Sequence, residues 1–87
     1  MRVTTTIRAD LFVVRVEGTL AGEGADELGR MCRSLSGPTQ ADLSGLRWAD
    51  ARGLQMIRTL VAEGVELVKV PPFIALLLDA PNSGGEG

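Results

Sequence analysis

The stretch Ala41–Gly53, ADLSGLRWADARG, most limits what this chain can fold into. A short apolar-flanked strand ends there in a tight polar connection, and that connection feeds the N-terminus of an amphipathic helix. Asp50 is placed to cap the helix, because its carboxylate can accept from the free amides of the first turn. Exposed amides, a capping acid and a loop at a strand end form a docking or anion site in many α/β proteins. The residue after the cap is Ala51, which brings no hydroxyl.

The rest of the chain supplies elements for such a unit. Val3, Thr5 and Ile7 alternate with Thr4, Thr6 and Arg8, which predicts a half-exposed strand at a sheet edge. Ala9-Asp10 is a short turn, and Leu11–Glu17 is a second strand with Phe12, Val14 and Val16 on one side, so the two form a hairpin. After a loop over Thr19–Gly24, a helix runs to about Leu35 with Ala25, Leu28, Met31, Cys32 and Leu35 on one face. Ser36-Gly37-Pro38 stops it. Gln40–Leu43 is a brief strand that Ser44-Gly45 breaks, and Leu46–Ala49 carries the chain onward. A helix from about Ala51 to Glu63 buries Leu54, Met56, Ile57, Leu60 and Val61, and Gly64 ends it. Val65–Val70 is a strand, with Val65, Leu67 and Lys69 assigned to one side. Pro71-Pro72 starts a last helix whose Phe73–Leu78 run is apolar all round and must bury against the sheet or a partner.

The order is β-β-α-β-α-β-α. Its later β-α-β unit requires a parallel pair of strands. The predicted fold is therefore α/β, a small mixed sheet with helices packed mainly on one face. Residues 1–78 are read as one domain and 79–87, DAPNSGGEG, as a disordered polar tail.

Composition narrows the function. Eighty-seven residues hold one core. No basic run is interleaved with aromatics, which disfavours nucleic-acid binding. Histidine is absent, removing the commonest general base and metal ligand. The single Cys32 forms no internal disulfide and is read as a small core hydrophobe. MRVTTTIRAD has no apolar run behind its charge and Phe73–Leu78 is too short to span a bilayer, so a cytoplasmic location without membrane insertion is expected. No acid pair, nucleophile–base pair, phosphate-cradling glycine loop or metal cluster stands out, so neither an enzyme nor a cofactor is expected.

Asp42-Leu43-Ser44-Gly45 followed by Asp50-Ala51-Arg52-Gly53-Leu54, set in this element order, resembles the STAS domain. That family includes bacterial anti-sigma factor antagonists and the cytoplasmic tails of sulfate transporters. Val16-Glu17-Gly18-Thr19-Leu20 is similar to the family's second-strand ending, and the resemblance covers roughly residues 8–78. In the antagonists, the hydroxyl residue after the aspartate is phosphorylated by a partner kinase that is also the anti-sigma factor. The resemblance puts Ala51 at that position and Arg52 at the next, so phosphoryl acceptance there is impossible.

The resemblance implies a regulatory interaction module that binds a kinase-like anti-sigma factor through Ser44, Trp48, Asp50, Ala51, Arg52 and Gly53. The alternative is an accessory STAS subunit bound to the ATPase of an ABC-type phospholipid transporter. A third reading is an anion site made by the helix N-terminus and Arg52. Each residue also has a plain structural role. Asp50 is a cap or a partner contact. Arg52 is a solvated partner of Asp50 or a partner contact. Trp48 packs beneath the connection or anchors a partner. Gly53 admits close approach of the sheet or of a partner backbone. Ser44 orders the connection and is the nearest remaining hydroxyl. Homodimerisation through the apolar last helix is carried as a side hypothesis.

Overall fold

The structure, a computed structural model, describes residues 1–79 and contains β1 (Arg2–Arg8), β2 (Leu11–Leu20), α1 (Glu23–Ser34), β3 (Thr39–Ala49), α2 (Ala51–Ala62), β4 (Glu66–Val68) and α3 (Pro72–Asp79). The strands form one sheet in the order β1-β2-β3-β4. β1 pairs antiparallel with β2, while β2–β3 and β3–β4 are parallel. The predicted mixed sheet and element order are both present. Apart from Asp79, which closes α3, the expected polar tail lies outside the described residues.

Alternation along the strands decides which face is covered. Val14 and Val16 of β2 and Ala41, Leu43, Leu46 and Ala49 of β3 are buried. They form one core with Ala25, Leu28 and Cys32 of α1, Ile57 and Leu60 of α2, and Ile74 of α3. Each fully buried Val, Leu or Ile side chain contributes about 1.5–3 kcal/mol, and each alanine less. The opposite face is open, with Thr4, Thr6, Val13, Arg15 and Asp42 lining it. Cys32 is a core residue, as expected. Burial pushes its thiol pKa up, Arg33 partly opposes this and Glu63 adds to it, so the reactive thiolate is suppressed.

Several local expectations change. β2 does not end at Glu17 but runs on to Leu20, because Gly18, Thr19 and Leu20 pair with the end of β3. Val61 of α2, expected to be buried, is 46% exposed. β3 does not break at Ser44-Gly45 but runs on to Ala49. Its register against β2 shifts twice, between Arg15 and Glu17 and between Gly18 and Thr19, and each shift gives β3 one extra residue. Buried positions therefore fall at 41, 43, 46 and 49 rather than at every second residue. Loss of the two-residue period is what looked like a strand end in the sequence. β4 covers only Glu66–Val68, because Lys69 takes a positive φ of 53° before the Pro71-Pro72 pair. Lys69 consequently lies with Asp42 on the open face, not with Val65 and Leu67. The last helix is not apolar all round in effect: Ile74 is fully buried, whereas Leu76 is 71% exposed.

Candidate functional site

The site grows from the two parallel strands at the middle of the sheet. β2 and β3 lie side by side, and each passes straight into a helix at its C-terminal end. Their helices therefore start at the same edge of the sheet, with Leu20 opposite Ala49 in the last rung. Asp50 is the residue between that rung and α2.

Asp50 is the cap predicted from sequence, and it does more than cap. Its Oδ1 accepts from the Gly53 amide of α2 at 2.8 Å. Its Oδ2 accepts from the amide of Gly22, the N-cap of α1, at 3.2 Å. One carboxylate thus faces the positive ends of two helix dipoles. The Asp50 amide donates to the Leu20 carbonyl at 3.1 Å, which ties the junction to β2. Gly22 holds a positive φ of 53°, a conformation that suits glycine and turns its amide into this junction.

Gly53 is buried against the same carbonyl. A Cβ built on it would lie 2.2 Å from the Leu20 oxygen, so only glycine fits. The close approach is therefore to β2 rather than to a partner backbone. Arg52 is exposed and its guanidinium pairs with Asp26 of α1, not with Asp50, whose oxygens are occupied by the two amides. With the Gly53 amide held by Asp50 and the guanidinium held by Asp26, the chain's own carboxylates fill the place assigned to an external anion.

Ala51 begins α2 and is exposed. Trp48 is 48% exposed rather than sealed beneath the connection, because the second irregularity in β3 leaves both Arg47 and Trp48 outside between buried Leu46 and Ala49. Its ring stacks on Phe73 of α3, with centroids 5.7 Å apart and planes inclined by 24°. Ser44 stands apart from this group. Five strand residues separate it from Asp50, a distance on the order of 15 Å. Its amide donates to Asp42 Oδ1 at 2.9 Å, ordering the first irregularity of β3. Burial works against the charge of Asp42, but the Ser44 bonds and the nearby Lys69 and Arg15 outweigh it and hold the carboxyl below its ordinary value.

The sequence reading missed Leu20, Gly22, Asp26 and Phe73 as parts of the site. Crossover reasoning that made the later strands parallel applies equally to β2-α1-β3, and it brings the starts of α1 and α2 together. The contact between Phe73 and Trp48 had no sequence signal, since it depends on where α3 docks.

No protein-family profile matches the sequence, and no curated protein matches it. Solved structures do. The anti-sigma factor antagonist SpoIIAA in its unphosphorylated form superposes with a TM-score of 0.64 at 11% identity, over 87% of this chain and 80% of that one. A serine-to-glutamate variant of RsbS from Moorella thermoacetica gives 0.69 at 19% identity, over 90% and 75%. The fold is STAS-like. A crystal structure of Mglu contains a similar unit, with a TM-score of 0.66 at 19% identity, but this chain covers 79% of itself and only 19% of Mglu. At these identities the shared property is the fold. Within the STAS-like frame of this chain, the edge formed by Trp48, Ala51 and Arg52 is its exposed part, and half-buried Asp50 with buried Gly53 is the scaffold that shapes it. Among the described residues, no helix is long and apolar enough to cross a membrane.

Proposed function

We propose that this chain is a non-catalytic, cytoplasmic regulatory module that binds a kinase-like anti-sigma factor at the junction of β3 and α2. The contact residues are Trp48, Ala51 and Arg52, held in place by Asp50 and Gly53, with Ser44 at the margin. The observation that carries this reading is Ala51 itself. It is exposed at the first turn of α2, where the STAS resemblance puts a phosphorylated hydroxyl. A phosphate there adds about −1.5 to −2 charge beside Asp50 and repels an acidic or desolvated partner surface. With alanine in its place, the module stays competent to bind. Likeness of fold to SpoIIAA, an anti-sigma factor antagonist, supports the choice of partner class.

The same alanine favours one other reading, an accessory subunit on the ATPase of an ABC-type phospholipid transporter, which needs no phosphate switch. Affinity capture from the native host with the full chain separates the two. The first reading expects a kinase-like anti-sigma factor, and Ala51→Glu weakens its binding by about tenfold by charge alone. Recovery of an ABC ATPase and no kinase removes the sigma-pathway reading. Unchanged affinity in Ala51→Glu places the interface elsewhere.

A further inference from the structure

The far edge of the sheet from α2 is left open. β1 is a seven-residue edge strand that pairs with β2 through seven consecutive rungs, Arg2↔Glu17 to Arg8↔Leu11, without a shift. It contains no proline and no irregularity, two of the devices that blunt an edge, and its charges, Arg2 and Arg8, stand only at its two ends. Among the described residues nothing pairs with its outer backbone row, which can take another strand.

The two faces of β1 differ in character. On the helix side are Val3, Thr5 and Ile7. Val3 is half-buried, the Thr5 hydroxyl donates to Met31 Sδ at 3.6 Å, and Ile7 is 66% exposed. The helix layer stops short of β1 here and leaves a groove of about 350 Å³ lined by Met1, Val3, Leu28 and Met31 among others. On the open side, Arg2, Thr4, Thr6 and Arg8 line a shallow trough of about 510 Å³ with Arg15, Lys69, Glu17 and Asp42. Glu17 is paired with Arg15 at 3.5 Å, and Asp42 accepts from Ser44. Among the described residues, Arg2, Arg8 and Lys69 have no ion-pair partner. A chain with a formal charge of −2 thus places four of its nine basic residues on this one trough.

We propose that β1 is a strand-addition site for an extended acidic segment of a partner protein. The segment continues the sheet as a fifth strand. Its acids, six residues apart, meet Arg2 and Arg8, and its alternate apolar residues cover Val3 and Ile7. Cross-strand pairs of opposite charge and of apolar side chains are the units that stabilise such an addition. A second copy of this chain fits the edge poorly. The antiparallel register that pairs all seven residues sets Arg2 against Arg8 of the partner subunit, and does so twice, so like charges lie opposite each other. This surface lies on the opposite edge of the β2–β3 pair from β4, and the proposal does not depend on the one made for Ala51.

The test uses the full chain and the peptide Glu-Val-Thr-Val-Thr-Val-Glu, whose palindromic order suits either strand direction, with Lys-Val-Thr-Val-Thr-Val-Lys as control. Binding is followed by amide chemical shifts and by hydrogen exchange at low salt. The expected result is binding of the acidic peptide, shifts concentrated at residues 2–8, and slowed exchange of alternate β1 amides. Arg2→Gln with Arg8→Gln, two exposed positions, then lowers affinity by about fivefold while the thermal melt stays unchanged. Equal binding of both peptides overturns the proposal, as does shift perturbation centred away from β1. Sedimentation of the chain alone showing a dimer that the double variant strengthens assigns the edge to a second copy and also overturns it.

Discussion

Asp50 ties the starts of α1 and α2 together with one side chain. Both of its oxygens accept from amides, one at the start of each central helix. Asp50→Ala is expected to lose about 1–2 kcal/mol in urea unfolding, the upper part of the usual range for a cap, because two donors lose their acceptor. Asp50→Asn is expected to lose less, since its one carbonyl oxygen can still accept from Gly53 while its amide nitrogen cannot accept from Gly22. Gly53→Ala forces a Cβ against the backbone oxygen of Leu20, which cannot swing away as a side chain can, and is expected to cost about 1–3 kcal/mol or more. Asp42 makes the chain acid-sensitive. Its native pKa lies below the ordinary 3.8, so the unfolded chain takes up the proton first. Its contribution to stability is complete above that value and drains away as pH falls through the lower native pKa. Thermal melts from neutral pH downward should show the native chain losing its advantage over Asp42→Asn in that window.

Among the elements, the β1–β2 hairpin and α3 carry the clearest tests. The hairpin turns on Ala9 and Asp10, both at positive φ, 49° and 70°. Two-residue turns with both residues left-handed match the twist of the strands, but they favour Asn-Gly over Ala-Asp. Replacing Ala9-Asp10 by Asn-Gly is expected to raise stability by about 1 kcal/mol, read from the denaturation midpoint. α3 is held at its start by the stack of Phe73 on Trp48, in its middle by Ile74, and at its end by Arg58. The Arg58 guanidinium donates to the carbonyls of Leu77 and Leu78 at 3.2 and 3.3 Å, closing acceptors that the last turn leaves open. Sequence placed Arg58 on the wet side of α2. Arg58→Ala is expected to speed hydrogen exchange in α3 while leaving α1 and the central strands unchanged. α1 and α2 are clasped at both ends, by Arg52–Asp26 near their starts and by Arg33–Glu63 at their finish. Between these pairs, Gly29 lets the helices approach, since a Cβ there would meet Met56 Sδ at 2.7 Å.

At the scale of the whole molecule, the sheet separates three surfaces: a junction edge at Trp48, Ala51 and Arg52, an open basic face, and a bare strand at the far edge. Trp48, Phe73 and Leu76 form an exposed apolar strip beside the junction. If the side hypothesis of self-association through α3 holds, Leu76→Arg shifts a concentration-dependent dimer to monomer in sedimentation while the melt is unchanged, and a monomer at every concentration dismisses it. The sequence by itself determined the order of the seven elements, the buried side of α1, that of α2 apart from Val61, which is 46% exposed, and the cap at Asp50. Periodicity, turn residues and capping chemistry are local, and each is written within about a dozen residues. Only the tertiary structure decided that β3 runs unbroken through its two extra residues, that Arg52 answers Asp26, and that Trp48 lies outside against Phe73. Those outcomes depend on which strand lies beside which and on where two helices begin relative to one another. Residues far apart in the chain set them jointly, and no local pattern encodes the pairing.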